Sequence, residues 1–249
     1  MPSRAELRAE VWLVLALSLG ASGVYAALDL LKGLFATAAP LAHQTATLYA
    51  PRDSHVWLDV TYQLLDIATE LVPVLLVVYL LARSAESLST LGVDRRQARS
   101  DAEWSVGLAL VVGAVGLGFV YGAKALGINR QLIVGTAARH WWTIVLLVGQ
   151  AAGTAIAEEV IVGGFVLHRL RQIGWSERRS LAASALVRGS YHLYQGVGGG
   201  LANVVLGVFF GRIYQRRGRV LPLIVAHFLI DAVAFVGYVE LRGRVSWLP

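Results

Sequence analysis

The 249-residue chain contains no cysteine. That excludes a disulfide framework and a thiolate metal site, so any metal ion would have to be held by His, Asp or Glu. Charge is scarce too. Asp, Glu, Lys and Arg make up 15% of the chain, against about 25% in soluble domains. Lysine stands only at Lys32 and Lys124, so the net charge of +6 is carried by arginine. Apolar residues fill the gap: 56% of the chain is hydrophobic and the mean hydropathy is +0.60. They fall in long blocks, and a helical crossing of a bilayer takes about 20 such residues. The composition excludes a soluble core and predicts an all-α fold, a polytopic transmembrane helix bundle forming a single domain over residues 1–249.

The apolar blocks predict about seven spans: Val11–Leu31, Val60–Ala82, Ser105–Ala125, His140–Leu167, Ser180–Tyr194, Leu201–Ile213 and Val220–Tyr238. The run after Glu10 is too long for a signal-peptide core, so it reads as a retained first span. Glycine in the third span suggests close helix contact. Gly196 and the triplet Gly198-Gly199-Gly200 read as a tight turn between the fifth and sixth spans. Lys32–Asp59 reads as an external loop with a partial helix.

Arginine alternates between the loops. It clusters at Arg4 and Arg8, at Arg83, Arg95, Arg96 and Arg99, at Arg169, Arg171, Arg178 and Arg179, and at Arg212, Arg216, Arg217 and Arg219. The intervening loops are poorer, with Arg52 in one and Lys124, Arg130 and Arg139 in the next. Because arginine flanks the spans, it reads as a signal of membrane orientation rather than of nucleic-acid binding. The rule that positive residues stay inside places the amino terminus in the cytoplasm and the carboxyl terminus outside.

Against this background Glu158 and Glu159 stand out. They are the only charges between His140 and His168. A carboxylate at membrane depth costs at least about 2.5 kcal/mol, so the pair needs partners, a water-filled cavity or a chemical role. Asp66 and Glu70 lie inside the second span. At a rise of 1.5 Å per residue, Glu158 lies about 15 Å, His192 about 18 Å and His227 about 12 Å from the ends of their spans, with Asp231 one turn beyond His227. Each has a bland reading as a satisfied structural group: a lone hydrogen-bonding His, an interfacial cluster of His192 with Tyr191 and Tyr194, a His227–Asp231 contact on one helix. Their common depth favours a functional site instead.

These residues carry a resemblance. Glu158-Glu159, His192, and His227 with Asp231 four residues on resemble the three motifs of the intramembrane CAAX prenyl protease and bacteriocin-processing (Abi) family. The resemblance covers about Trp141–Val236 and places a catalytic core over 139–238, built from the last four spans. Two positions depart from it. The arginine expected four residues after the second glutamate is Gly163, and the phenylalanine expected four before the histidine is Arg188. Arg188 is therefore expected to supply from the fifth span the guanidinium that the fourth lacks, with Glu159 as its carboxylate partner. The other reading is that Arg188 snorkels to the headgroups.

The resemblance implies an intramembrane endopeptidase. Glu158, helped by His192, would hold and deprotonate water, and His227 with Asp231 would polarise the scissile carbonyl or stabilise the oxyanion. A metal version, with zinc on Glu158, His192 and His227, is equally compatible with the family. The expected partners are the lipid bilayer and a peptide or membrane-protein substrate, prenylated or not, with no nucleic acid. The arginine-rich loops suggest a bacterial plasma membrane. Two rivals remain open: a non-catalytic scaffold or immunity protein of the same fold, and a proton-coupled transporter using the carboxylates as a relay.

Overall fold

The computed structural model describes residues 2–135 and 141–245. Arg139 and His140, read above as a loop charge and the start of the fourth span, lie outside the described residues.

The chain enters on α1 (Arg4–Ala16), started by a capping box in which Ser3 and Glu6 bond each other's backbone. A 49° bend separates it from α2 (Leu19–Phe35). After a loop containing strand β1 (Thr45–Leu48) come α3 (Val56–Glu70) and α4 (Val72–Arg83). Pro73 lacks the amide that would bond the turn before it, and α3 ends at Glu70. Helix α5 (Ala98–Ala125) follows, then strand β2 (Gln131–Val134), paired in parallel with β1. Helix α6 (Trp141–Glu158) passes into a π-helical segment, Glu159–Val166, and then α7 (Leu167–Ile173). Gly174, in the left-handed region at φ 104°, ends α7. Ser176 caps α8 (Glu177–Tyr191), and α9 (Val197–Arg217) and α10 (Leu221–Leu241) complete the bundle.

The protein is an all-α integral membrane protein. Among the described residues, five helical stretches are long and apolar enough to cross a bilayer: 56–83, 98–125, 141–173, 197–217 and 221–241, with the bent α1–α2 pair as a sixth. The remaining expected span corresponds to α8, whose 15 residues fall short of a full crossing.

The stretch 141–173 is the axis of the molecule. Every residue of its π-helical segment is buried, and Phe165, Ile161 and Leu167 are almost wholly enclosed. Helix α5 lies at the other extreme, with Leu110, Val111, Val115 and Leu117 exposed, as suits a helix facing lipid. Its glycines correct a sequence expectation. A Cβ at Gly107, Gly113, Gly116, Gly118 or Gly122 would meet nothing within 4 Å, so within this chain they mediate no close helix contact. The glycine triplet is a second correction: it forms the buried first turn of α9, and only Gly196, at φ 114°, makes the turn. A Cβ at Gly198 would lie 2.6 Å from Asn129 Oδ1, and one at Gly200 2.6 Å from Leu193 Cδ2. Close approach, not chain reversal, explains these glycines.

Several arginines counted as loop charges are buried. Arg169 bonds Glu86, Ser84 and the Leu80 carbonyl and pairs with Glu10 at 2.9 Å, tying α1, the end of α4 and α7 together. Arg219 grips Asp101 and Asp94 and ties the start of α10 to α5. Arg130 bonds Asp29, Gln44 and the Tyr194 carbonyl. At these positions arginine serves as an interior clamp rather than a marker of orientation.

Candidate active site

Four helices deliver the polar groups to one place. Glu158 ends α6 and Glu159 begins the π-helical segment, a winding that recurs at functional sites. Both are buried, at 4% and 0% exposure. On a regular helix successive side chains point about 100° apart, yet both carboxylates reach the same guanidinium. Arg188 Nη1 lies 2.7 Å from Glu159 Oε1, and Arg188 Nη2 lies 3.4 Å from Glu158 Oε2. Arg188 is itself enclosed, 1% exposed, with its guanidinium over the Phe210 ring. It does not snorkel. Small residues on α9 make the space: a Cβ at Gly207 would stand 3.3 Å from Arg188 Cδ.

The histidines take up the remaining carboxylate faces. His192 follows α8 directly, and its Nδ1 donates to the Arg188 carbonyl at 3.0 Å. That bond leaves Nε2 turned towards Glu158 Oε1 at 3.9 Å. Arg130 steadies the following turn through the Tyr194 carbonyl. On α10, His227 directs Nδ1 to Glu159 Oε1 at 2.9 Å and Nε2 to Asp231 Oδ2 at 3.4 Å. Thus Glu158, Glu159, Arg188, His192, His227 and Asp231 form one connected cluster. Tyr191 belongs to it as well, donating its hydroxyl to Glu158 Oε2 at 3.0 Å. Sequence reasoning set Tyr191 aside as interfacial; its place beside His192 was the available signal. Of the two carboxylates singled out in the second span, Asp66 is half-exposed and pairs with Arg52 at 2.9 Å, away from the cluster.

Residues 140–233 match the family described as Rce1-like, type II CAAX prenyl endopeptidase. That match runs from α6 into α10 as far as Val233 and carries all of the cluster. Over this segment the chain is similar to the CAAX prenyl endopeptidase family. Comparisons with curated proteins and with solved structures returned no match.

The family resemblance raises the question of a metal. Donor atoms of Glu158, Glu159 and His227 come within 4.8 Å of one another. This set differs from the one expected from sequence, with Glu159 in the place of His192. The arrangement does not suit a divalent cation. A guanidinium already stands within ion-pairing distance of both carboxylates, and its Nη2 lies 3.4 Å from His227 Nδ1. A metal would have to displace that fixed cation or lie beside it in a low-dielectric interior, where like charges repel strongly.

Two buried atoms of the cluster, Glu159 Oε2 and Arg188 Nε, stay unsatisfied, with no hydrogen-bond partner among the described residues. A Cβ at Gly163 would lie 2.7 Å from Glu159 Oε2. The family's missing arginine would therefore root beside the orphaned oxygen.

Proposed function

We propose that this protein is an intramembrane endopeptidase that hydrolyses a peptide bond of a membrane-associated or prenylated peptide or protein, without a metal. The observation that carries the reading is the gap between Glu158 Oε1 and His192 Nε2. At 3.9 Å it is too wide for a direct hydrogen bond, and it is bounded by a carboxylate and an imidazole nitrogen left free as an acceptor by its Nδ1 bond. Both groups can orient and deprotonate a water brought to that edge. Tyr191 and Arg188 hold the other oxygen of Glu158, which fixes the direction of the base.

His227 holds Glu159 through Nδ1, and its Nε2–H, only loosely held by Asp231 at 3.4 Å, turns to donate to the carbonyl oxygen as negative charge develops there. Glu158 passes the water's proton to the leaving nitrogen, so the base returns to its starting state. Arg188 and Glu159 do not touch the reacting atoms in this scheme; they position the groups that do. The catalytic core corresponds to 139–238, and the arginine pattern favours a bacterial plasma membrane with the amino terminus in the cytoplasm.

The test is cleavage of a membrane-peptide library by purified protein in detergent or bilayers. Wild type is expected to cleave and Glu158→Gln to lose about a hundredfold or more, the contribution of a positioned base. A biological phenotype untouched by Glu158→Gln would favour a scaffold, and loss of proton-coupled uptake a transporter.

A further inference from the structure

The two-stranded sheet at the loop end of the bundle leaves one edge open. Strand β1 pairs with β2 in parallel, and the chain beside it continues the pattern: Gln131 N–H donates to the Gln44 carbonyl at 2.9 Å and Gly135 N–H to the Leu48 carbonyl at 2.8 Å. Along a strand the backbone groups of successive residues turn to opposite sides. In this register Gln44, Ala46 and Leu48 turn theirs to β2, and Thr45 and Thr47 turn theirs away from it. The N–H and C=O of Thr45 and Thr47 have no hydrogen-bond partner among the described residues. Both threonines are exposed.

The open edge borders a polar cavity of about 370 Å³. The consecutive residues 44–47 all line it, whereas β2 and the residue before it contribute only Arg130. A cavity over one face of the sheet would meet every second residue of both strands. This one runs along the edge of β1, with Asp29 and Lys32 of α2 as its other wall. Tyr194 also lines it, and the Tyr194 ring lies beside the His192 ring, centroids 6.2 Å apart. Arg130 N–H donates to the Gln195 carbonyl at 2.8 Å. Past the other end of β1, Tyr49 Oη meets Thr154 Oγ1 at 3.3 Å, and Thr154 bonds Glu70 of α3 at 2.9 Å. Thr154 lies one turn before Glu158 on α6. The sheet is thus tied to both segments that bound the gap between Glu158 and His192.

We propose that the open edge of β1 takes up the substrate peptide as a third strand and holds it, extended, beside His192. This rests on the endopeptidase reading. In a helix each carbonyl is bonded within its own segment, so water reaches a peptide bond only where the substrate is unwound. An unwound segment at a membrane needs partners for its N–H and C=O groups, because lipid offers none. Thr45 and Thr47 supply four such partners at the two-residue spacing of a strand ladder. Main-chain bonds of this kind hold an extended backbone whatever its side chains, and side-chain pockets add selectivity. The occupant is a single extended chain rather than a second copy of this protein. An added strand needs a place about 4.8 Å from β1, which the cavity provides. A second copy would have to bring its own sheet between β1 and α2.

Two measurements on the full-length protein test this. Thr47→Pro removes an outward N–H that the pairing of β1 with β2 does not use, a position where an edge strand tolerates proline. It should raise KM for a cleaved peptide by about three- to tenfold, the effect of one lost hydrogen bond, with a much smaller change in kcat. Thr47→Ala keeps the N–H and should raise KM far less. A wild-type KM in Thr47→Pro overturns the docking. The second measurement needs no cleavage and exploits the lack of cysteine in the chain. Thr47→Cys in the Glu158→Gln background carries a unique thiol. Peptides of the membrane library, each with one cysteine at a successive position, are cross-linked to it oxidatively. The yield should alternate every second residue, the period of a strand. A helical period, no capture of any peptide, or cross-linking only between two copies of the protein overturns the third strand. Alternating capture with no cleavage of these peptides by wild type overturns the endopeptidase reading and leaves the docking edge standing.

Discussion

Arg188 on α8 meets Glu159 on the π-helical segment at 2.7 Å, both of them enclosed. The contact explains why a cation can stand where the family pattern has phenylalanine. Breaking such a buried pair by removing one partner typically costs about 3–5 kcal/mol, because the other charge is left uncompensated. Arg188→Phe restores the family's second motif in sequence yet should lose cleavage and lower the melting temperature in detergent.

The same geometry predicts a rescue. Gly163 stands beside the unsatisfied Glu159 Oε2. Gly163→Arg in the Arg188→Phe background returns a guanidinium to this carboxylate from its own helix and should recover part of both readouts. The double variant performing no better than Arg188→Phe alone would show that the two positions are not exchanging one cation.

Tyr191 makes a separate prediction. Its hydroxyl fixes Glu158 Oε2, and a hydrogen bond to a charged group contributes about 1.5–3 kcal/mol. Tyr191→Phe should reduce cleavage by about tenfold or more through kcat, with little change in KM. A loss confined to KM would move Tyr191 from aligning the base to contacting substrate.

The sequence disclosed this site because the interior is so apolar. Where charge is nearly absent, Glu158, Glu159, His227 and Asp231 identify themselves, and helical rise alone puts them at one level. Arg188 was legible for the same reason, since an arginine at depth must find a carboxylate. The role of Tyr191 was hidden because a tyrosine is unremarkable near a membrane interface. The π-helical winding was hidden because no residue type encodes it. The buried arginines misled in the opposite direction. Arg169, Arg219 and Arg130 sit at span ends, where composition cannot separate an orienting charge from an interior clamp. Strand pairing between β1 and β2 depends on contacts 86 residues apart, such as Thr45 with Gln131, which local pattern does not report.

The Arg169 clamp carries a prediction about acid. Glu86 lies in the loop after α4, outside the spans. Partial burial pushes its carboxyl up, but hydrogen bonds and charge from His168 and Arg169 outweigh this and hold it below its ordinary value of 4.5. A carboxyl lowered in the folded state contributes stability that is present above its unfolded value and lost as pH falls through the folded one. Wild type should therefore lose melting temperature below about pH 4.5. Glu86→Gln should be less stable at neutral pH and lose less on acidification. Parallel pH profiles for the two proteins would remove Glu86 from the acid response.

The last prediction concerns metal. Glu158, Glu159 and His227 resemble a ligand set by distance, and a chelator-sensitive protease would ordinarily be expected of such a trio. Here Arg188 faces both carboxylates and His227 gives its Nδ1 to Glu159. Glu158 Oε2 is already engaged by Tyr191 and Arg188, and Glu159 Oε1 by Arg188 and His227, so the carboxylate oxygens left open, Glu158 Oε1 and Glu159 Oε2, lie beside a fixed cation. Cleavage by the purified protein should therefore persist after exhaustive treatment with a zinc chelator, and added zinc should not raise the rate. Arg188→Ala supplies the converse. Removing the guanidinium leaves two uncompensated carboxylates beside an imidazole, a donor set suited to zinc. That variant should gain zinc affinity, read as metal retained through gel filtration and as a rise in melting temperature on adding zinc. Chelator-sensitive cleavage by wild type, restored by zinc, would place a metal in the site and require Arg188 to move aside during the reaction.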